Sequence, residues 1–172
     1  MDLILWRHAQ AHPLLLDEAV QAQMLAGEDV IVHIDPIDDL ARTLTPKGER
    51  QAERMAQWLN QRLTESTRVL VSPAQRTQQT AMALGRSFKT VRAIDPQASV
   101  DDLLEAARWP KSKDPVLLIG HQPTLGLLAA RLLTGQDQAW AVRKGAVWWL
   151  RGRDREGEPQ VTLQAVQSPD FL

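Results

Sequence analysis

Two arginines and two histidines stand where apolar runs of this sequence break off, and their side chains have the chemistry of a site that attacks an anion. Leu3-Ile4-Leu5-Trp6 ends in Arg7-His8-Ala9. Val69-Leu70-Val71 leads into Ser72-Pro73-Ala74-Gln75-Arg76, and Val116-Leu117-Leu118-Ile119 leads into Gly120-His121. Neutral imidazole is a nucleophile near neutral pH, and its N-phosphoryl product is labile enough to hydrolyse. An arginine offers a planar fork that fits phosphoryl oxygens. These residue types point to His8 as the attacking group, with Arg7 and Arg76 on the anion. His121 would stabilise the charge that develops in the transition state, and Gln122 beside it is read as a substrate-binding residue. Taken singly, each has an ordinary structural reading: a strand cap, an ion-paired or surface arginine, a core histidine bonded to backbone. One phosphate pocket accounts for all of them together. Thr80, one turn beyond Arg76, is placed to buttress that pocket.

Three strands must deliver these groups, because ligands of open α/β sheets bind just outside the strands' carboxyl ends. Neighbours along a strand point to opposite sides, so Arg7 and His8 reach one anion only if the backbone is already turning there. Residues 2–7, 68–72 and 115–120 read as those strands, and consecutive apolar side chains predict burial on both faces. Thr45-Pro46 opens a helix as N-cap and first residue, with Ala52, Met55, Ala56, Leu59 and Leu63 on one face. Ser72 is read as the N-cap of a helix that Pro73 starts, and Ala81, Leu84 and Phe88 as its buried side. Residues 90–94 are read as a short strand and 100–108 as a helix. Another helix follows Pro123, with Leu127, Leu128 and Leu132 inward. Strands at 145–151 and 159–166 form a terminal hairpin around a turn at Arg153–Glu158, with one of Trp148 and Trp149 in the core and the other exposed. The order predicts an α/β protein: a three-layer α/β/α sandwich on a mostly parallel sheet, in a single domain over 1–172.

Residues 10–43 stand apart. Asp17 to Leu25 reads as a helix with Ala19, Val20, Gln23 and Met24 at helical spacing, and Val30 to Ile34 as a short β-like run stopped by Pro36. Because this segment follows the first strand's carboxyl end, it is expected to lie over or beside the crevice, as a lid or specificity insertion.

Composition narrows the function classes. Lys+Arg 20 against Asp+Glu 21 leaves a net charge of −1, without the basic footprint of a general nucleic-acid binder. Arg151, Arg153 and Arg155 alternate with Asp154 and Glu156 and read as a solvated hairpin. The absence of cysteine excludes disulfides, Cys-ligated zinc and thiol nucleophiles. His12 and His33 have no metal-ligand spacing and read as loop residues, so no metal or cofactor is implied. A Gly-rich phosphate loop of the GxxxxGK[ST] kind is absent. The N-terminus lacks a secretory pattern and no run is long enough to span a membrane. A cytoplasmic protein with no membrane partner is expected.

The motifs resemble those of the histidine phosphatase superfamily, also called phosphoglycerate mutase-like or RHG. Arg7-His8-Ala9 is similar to its RHG signature, with alanine for glycine. The segment Arg42-Thr43-Leu44-Thr45-Pro46-Lys47-Gly48-Glu49-Arg50-Gln51-Ala52 matches R-x-LTxxGxxQA. Ser72 to Ala81 matches SxxxRxxQTA, and Gly120-His121-Gln122-Pro123 matches the second-histidine motif. The resemblance implies a phosphoglycerate mutase-like fold, a phosphorylated His8, and a pocket completed by Arg7, Arg76 and His121. The short interval between Arg76 and His121 is similar to the small SixA-like phosphohistidine phosphatase branch, whose uncapped pocket admits a side chain displayed on a protein. The expected activity is metal-independent removal of phosphate from phosphohistidine in a protein, with inorganic phosphate as product. A small phosphomonoester, a sugar phosphate, or phosphate binding without turnover are the alternatives. The family's acidic proton donor falls between Arg76 and His121, where Asp95, Asp101 and Asp102 are candidates. A phosphoramidate needs a strong acid less than an alkyl ester does, because its leaving imidazole is easily protonated.

Overall fold

The computed structural model describes residues 1–172. One six-stranded sheet runs through it. In chain order the strands are β1 (Asp2–Arg7), β2 (Arg68–Val71), β3 (Lys89–Thr90), β4 (Val116–Gly120), β5 (Val147–Arg155) and β6 (Glu158–Gln167). They lie in the order β3-β2-β4-β1-β5-β6. The first four are parallel, and the β5–β6 hairpin adds two antiparallel strands at the β1 edge. The helices are α1 (Glu18–Leu25), α2 (Pro36–Leu40), α3 (Pro46–Asn60), α4 (Gln75–Met82), α5 (Val100–Ala107) and α6 (Thr124–Thr134).

The unbroken apolar runs of the central strands are explained by two cores. Successive side chains of a strand point to opposite faces. Leu3, Leu5, Leu70, Val116 and Leu118 face a core with Leu103 of α5 and Leu125 and Leu128 of α6. Ile4, Trp6, Val69, Val71, Leu117 and Ile119 face the other, with Met55, Ala56 and Leu59 of α3 and Ala81 of α4. The sandwich is therefore three-layered, as the sequence predicts. On α6 the fully buried apolar side chains are Leu125, Leu128, Ala129 and Ala130, while Leu127 and Leu132 pack at the margin. Trp148 and Trp149 are both half-buried, one against each core, rather than one in and one out.

Local chemistry sets the helix starts that matter for the site. The Thr45 side chain accepts from Gly48 N, with Pro46 as first residue of α3. Ser72 does not cap the next helix. α4 begins two residues after Pro73, with Ala74 at its N-cap and no side-chain cap bond. The predicted strand at 90–94 is shorter and earlier, and Arg92–Ile94 is a 3-10 turn. The hairpin turn is tighter than expected, because Glu156 and Gly157 both take positive φ and the strands pair up to Arg155 and Glu158.

The 10–43 segment departs most from its sequence reading. α1 forms under its Asp17 cap but buries no residue, and of its apolar positions only Val20 is half-buried while the others face solvent. No strand forms at Val30–Ile34. Pro36 does not end an element but starts α2, with Asp35 accepting from Ile37 N at its cap.

Candidate active site

The strand order β2-β4-β1 brings three carboxyl ends side by side, and each carries one of the predicted groups. His8 follows β1, where its N–H still donates to Gly120 O of β4 at 3.1 Å and its carbonyl accepts from Gly145 N at 3.0 Å. The chain turns immediately afterwards, because Ala9 N donates to Thr80 Oγ1 at 3.1 Å and Gln10 N to Gln51 Oε1 at 3.0 Å. Thr80 in turn donates to the Arg76 carbonyl at 2.7 Å. It ties the first turn of α4 to the loop that carries His8. Gly48 is needed at the start of α3, since a Cβ there would sit 2.0 Å from Gln10 O. Leu44 N donates to Gln79 Oε1 at 2.7 Å. The spacings Thr45–Gly48–Gln51 and Arg76–Gln79–Thr80 thus act as a scaffold around one loop.

His8, Arg76 and His121 are almost wholly buried, at 7%, 4% and 4% exposure. The two imidazoles lie with ring centroids 5.3 Å apart, tilted at 54°. His8 Nδ1 is 2.7 Å from Ala9 O. A carbonyl only accepts, so Nδ1 carries the proton and Nε2 holds the free lone pair. His121 Nε2 lies 2.7 Å from Ser72 Oγ. Arg7 Nη1 donates to Val142 O at 2.8 Å. Three buried nitrogens have no partner at all: Arg7 Nε, Arg76 Nε and His121 Nδ1. Unsatisfied buried polar atoms are rare in folded proteins, and three on these residues are what an oxyanion would satisfy.

Burial is the first cause that pushes the His8 pKa down to about 3, against the bond to Ala9, and the Arg76, Arg7 and Arg42 charges add to it. His121 falls to about 2 through burial, then the His8, Arg76, Arg7 and Arg42 charges. Both imidazoles are therefore neutral at physiological pH. In the unfolded chain each takes a proton near pH 6.5. Below that value the unfolded state binds more protons than the folded one, so stability drops on acidification through the window from about 6.5 toward 3. The urea midpoint of the full chain is expected to fall between pH 6.5 and about 4.5, above the carboxylate range. His8→Gln and His121→Gln should each flatten that slope. An unchanged slope in both variants would rule out the buried neutral pair as its origin.

Gln122 does not join the pocket. Its Oε1 accepts from Gly126 N at 2.8 Å and its Nε2 donates to Trp140 O at 2.8 Å, so the amide anchors the start of α6. Of the three acidic candidates, Asp101 pairs with Arg131 and Asp102 closes the capping box of α5 with Ser99. Asp95 is the one that lines a small space shared with Gly120 and His121. Two residues that contact the site are given no site role by the sequence. Ser72, read as a helix cap, contacts His121. Asp39, at the end of α2, bonds Arg76 through both its carbonyl and its carboxylate, at 2.7 and 3.1 Å. Through this contact the 10–43 segment touches the Arg76 side chain.

Residues 3–99 match the model of the histidine phosphatase superfamily, branch 1. The chain belongs to that superfamily. Over 112 residues it is 33% identical to the phosphohistidine phosphatase SixA of Escherichia coli, an alignment covering 60% of this chain and 69% of that one. It is 35% identical over 109 residues to an uncharacterised Picosynechococcus protein, covering 59% and 66%. A solved structure of the protein histidine phosphatase SixA complexed with tungstate superposes with a TM-score of 0.67 at 24% identity, over 99% of each chain. The phosphoglycerate mutase-like fold expected from the motifs is the fold observed. No helix is long and apolar enough to cross a membrane.

Proposed function

We propose that this chain is a metal-independent phosphatase acting through a phosphorylated His8, and that its substrate is phosphohistidine on a protein. The observation that carries the reading is the set of partnerless buried nitrogens on Arg7, Arg76 and His121, gathered around a His8 whose Nε2 is free. In the first step Nε2 attacks phosphorus, the bond from phosphorus to the departing imidazole breaks, and that nitrogen takes a proton. Asp95 is the acid we assign to this transfer. In the second step water attacks the phosphoryl group on His8 and gives a proton back to Asp95, the new P–N bond breaks, and inorganic phosphate leaves. The arginines and His121 hold the non-bridging oxygens throughout.

The wall beside the pocket supports a protein substrate over a small one. Between His8 and Arg42 the chain has seven carboxylates and no lysine or arginine. The same stretch exposes Leu15, Ile31 and Ile37 at 94%, 84% and 72%. Such a surface repels free anionic metabolites and offers apolar contact to a larger partner. The 33% identical E. coli relative, a phosphohistidine phosphatase by name, agrees with this reading. We assign the 10–43 segment the role of specificity element on this basis.

The test compares a phosphohistidine-bearing phosphotransfer protein with a panel of phosphomonoesters and sugar phosphates. The protein is expected to give a kcat/KM higher by at least about tenfold, a difference of roughly 1.4 kcal/mol. A preference for a small ester would overturn the substrate assignment. Tight phosphate binding with no turnover of any substrate would overturn the enzymatic one.

A further inference from the structure

We propose that Asp39 is the positioning residue of the phosphate arginine: it holds the outer end of the Arg76 guanidinium so that the Nε edge is presented to the oxyanion. The inference rests on the phosphate-pocket reading above and adds a residue that none of the recognised motifs contains.

A guanidinium has five N–H donors in a rigid fork. Asp39 takes the outer pair, with its main-chain carbonyl on Nη1 at 2.7 Å and its Oδ2 on Nη2 at 3.1 Å. The Nε hydrogen is left buried and partnerless. It shares one edge of the fork with the second hydrogen of Nη2, and two parallel donors on one edge are what a bidentate contact to phosphate requires. Asp39 therefore does not compete for the edge that the anion uses. The carboxylate is itself held from the far side. Its Oδ1 accepts from Arg42 Nη1 at 3.1 Å, and Arg42 Nε donates to His12 O at 2.8 Å. Burial opposes ionisation of Asp39, but the Arg42 bond and the Arg76 charge outweigh it and hold its carboxyl below the usual range. The clamp stays charged at neutral pH. α2 gains a reason to exist through this contact, since it buries none of its own residues.

The experiment measures orthovanadate affinity and kcat/KM on the full chain, in Asp39→Ala, Asp39→Asn, Arg76→Lys and the double variant Asp39→Ala/Arg76→Lys. Asp39→Ala is expected to weaken vanadate binding about tenfold and to lower kcat/KM by about 10- to 100-fold, because a donor that wanders loses its alignment to the transition state. Asp39→Asn keeps an acceptor in place and should recover most of the loss. A lysine has no edge to orient, so Asp39→Ala should cost less than about twofold further in the Arg76→Lys background. An equal loss in both backgrounds would reduce Asp39 to a prop for the 10–43 segment. Tighter vanadate binding in Asp39→Ala would make it a plug instead, and either result overturns the proposal. A wild-type chain that binds no vanadate and hydrolyses no phosphorylated substrate marks failure of the pocket reading itself, which the variants' divergence does not.

Discussion

His8→Ala is expected to lower turnover by on the order of 10⁴-fold or more and to abolish the phosphorylated form of the chain. The reason lies in the tautomer. Ala9 O fixes the proton on Nδ1 and leaves Nε2 as the only nucleophilic atom in a pocket whose other nitrogens are donors. Water in that place would have to attack without a covalent relay, and the pocket offers it no base in contact with His8. The buried environment that drives the pKa to about 3 also keeps the lone pair free at neutral pH. Rapid quench after mixing with a phosphoryl donor should trap an acid-labile, alkali-stable phosphoramidate on wild type and nothing on the variant. Phosphate affinity should survive in part, because Arg7, Arg76 and His121 remain. A circular dichroism spectrum and urea midpoint near those of wild type would separate lost chemistry from lost fold. Turnover within about tenfold of wild type would end the case for a phosphoenzyme.

What the sequence made legible was local or periodic. Thr45-Pro46 announces α3 because cap and first-turn chemistry act within three residues. Leu3 to Trp6 announces a doubly covered strand because no second pattern competes with it. Asp35-Pro36 has the same chemistry as Thr45-Pro46, yet from the sequence Pro36 reads as a stop. The helix behind it is five residues long and buries nothing, so no apolar stripe points to it. α1 fails in the opposite way: its apolar residues Ala19, Val20, Ala22, Met24 and Leu25 are spread around the helix instead of forming one stripe, and it buries none of them. Ser72 looked like a cap because serine before proline suits one, whereas its hydroxyl accepts from Ala74 N at 3.3 Å and meets His121 across 49 residues of sequence. The Asp39–Arg76 pair spans 37 residues with no period to betray it. Contacts of that length are set by the strand order, and the strand order is a tertiary fact. Motif residues could be matched one by one, while the partner that orients a motif residue could not. Gln122 shows the converse, since a residue inside a motif serves the scaffold when its amide has two backbone partners.

The same long-range contact to Ser72 gives His121 its role and sets the second large effect. Ser72 Oγ already accepts the Ala74 N–H, so its own hydrogen is free to go to His121 Nε2. That assignment places the imidazole proton on Nδ1, the atom left buried without a partner. With a pKa pushed to about 2, His121 is a neutral donor rather than a cation. It adds no charge to a pocket already holding the half-buried Arg7 and the buried Arg76, and its hydrogen bond strengthens as phosphoryl charge builds in the transition state. His121→Ala should therefore lower kcat by about 10²- to 10³-fold, the range seen when one such donor is removed, with a much smaller change in KM. Ser72→Ala leaves the ring but frees its tautomer, and a loss of about tenfold is expected from the misassigned fraction. Steady-state kinetics on a phosphohistidine-bearing protein, with single-turnover labelling of His8, reads both variants. A raised KM at unchanged kcat in His121→Ala would place His121 in ground-state binding alone, and equal rates in Ser72→Ala and wild type would remove the serine from the chain of contacts that orients it.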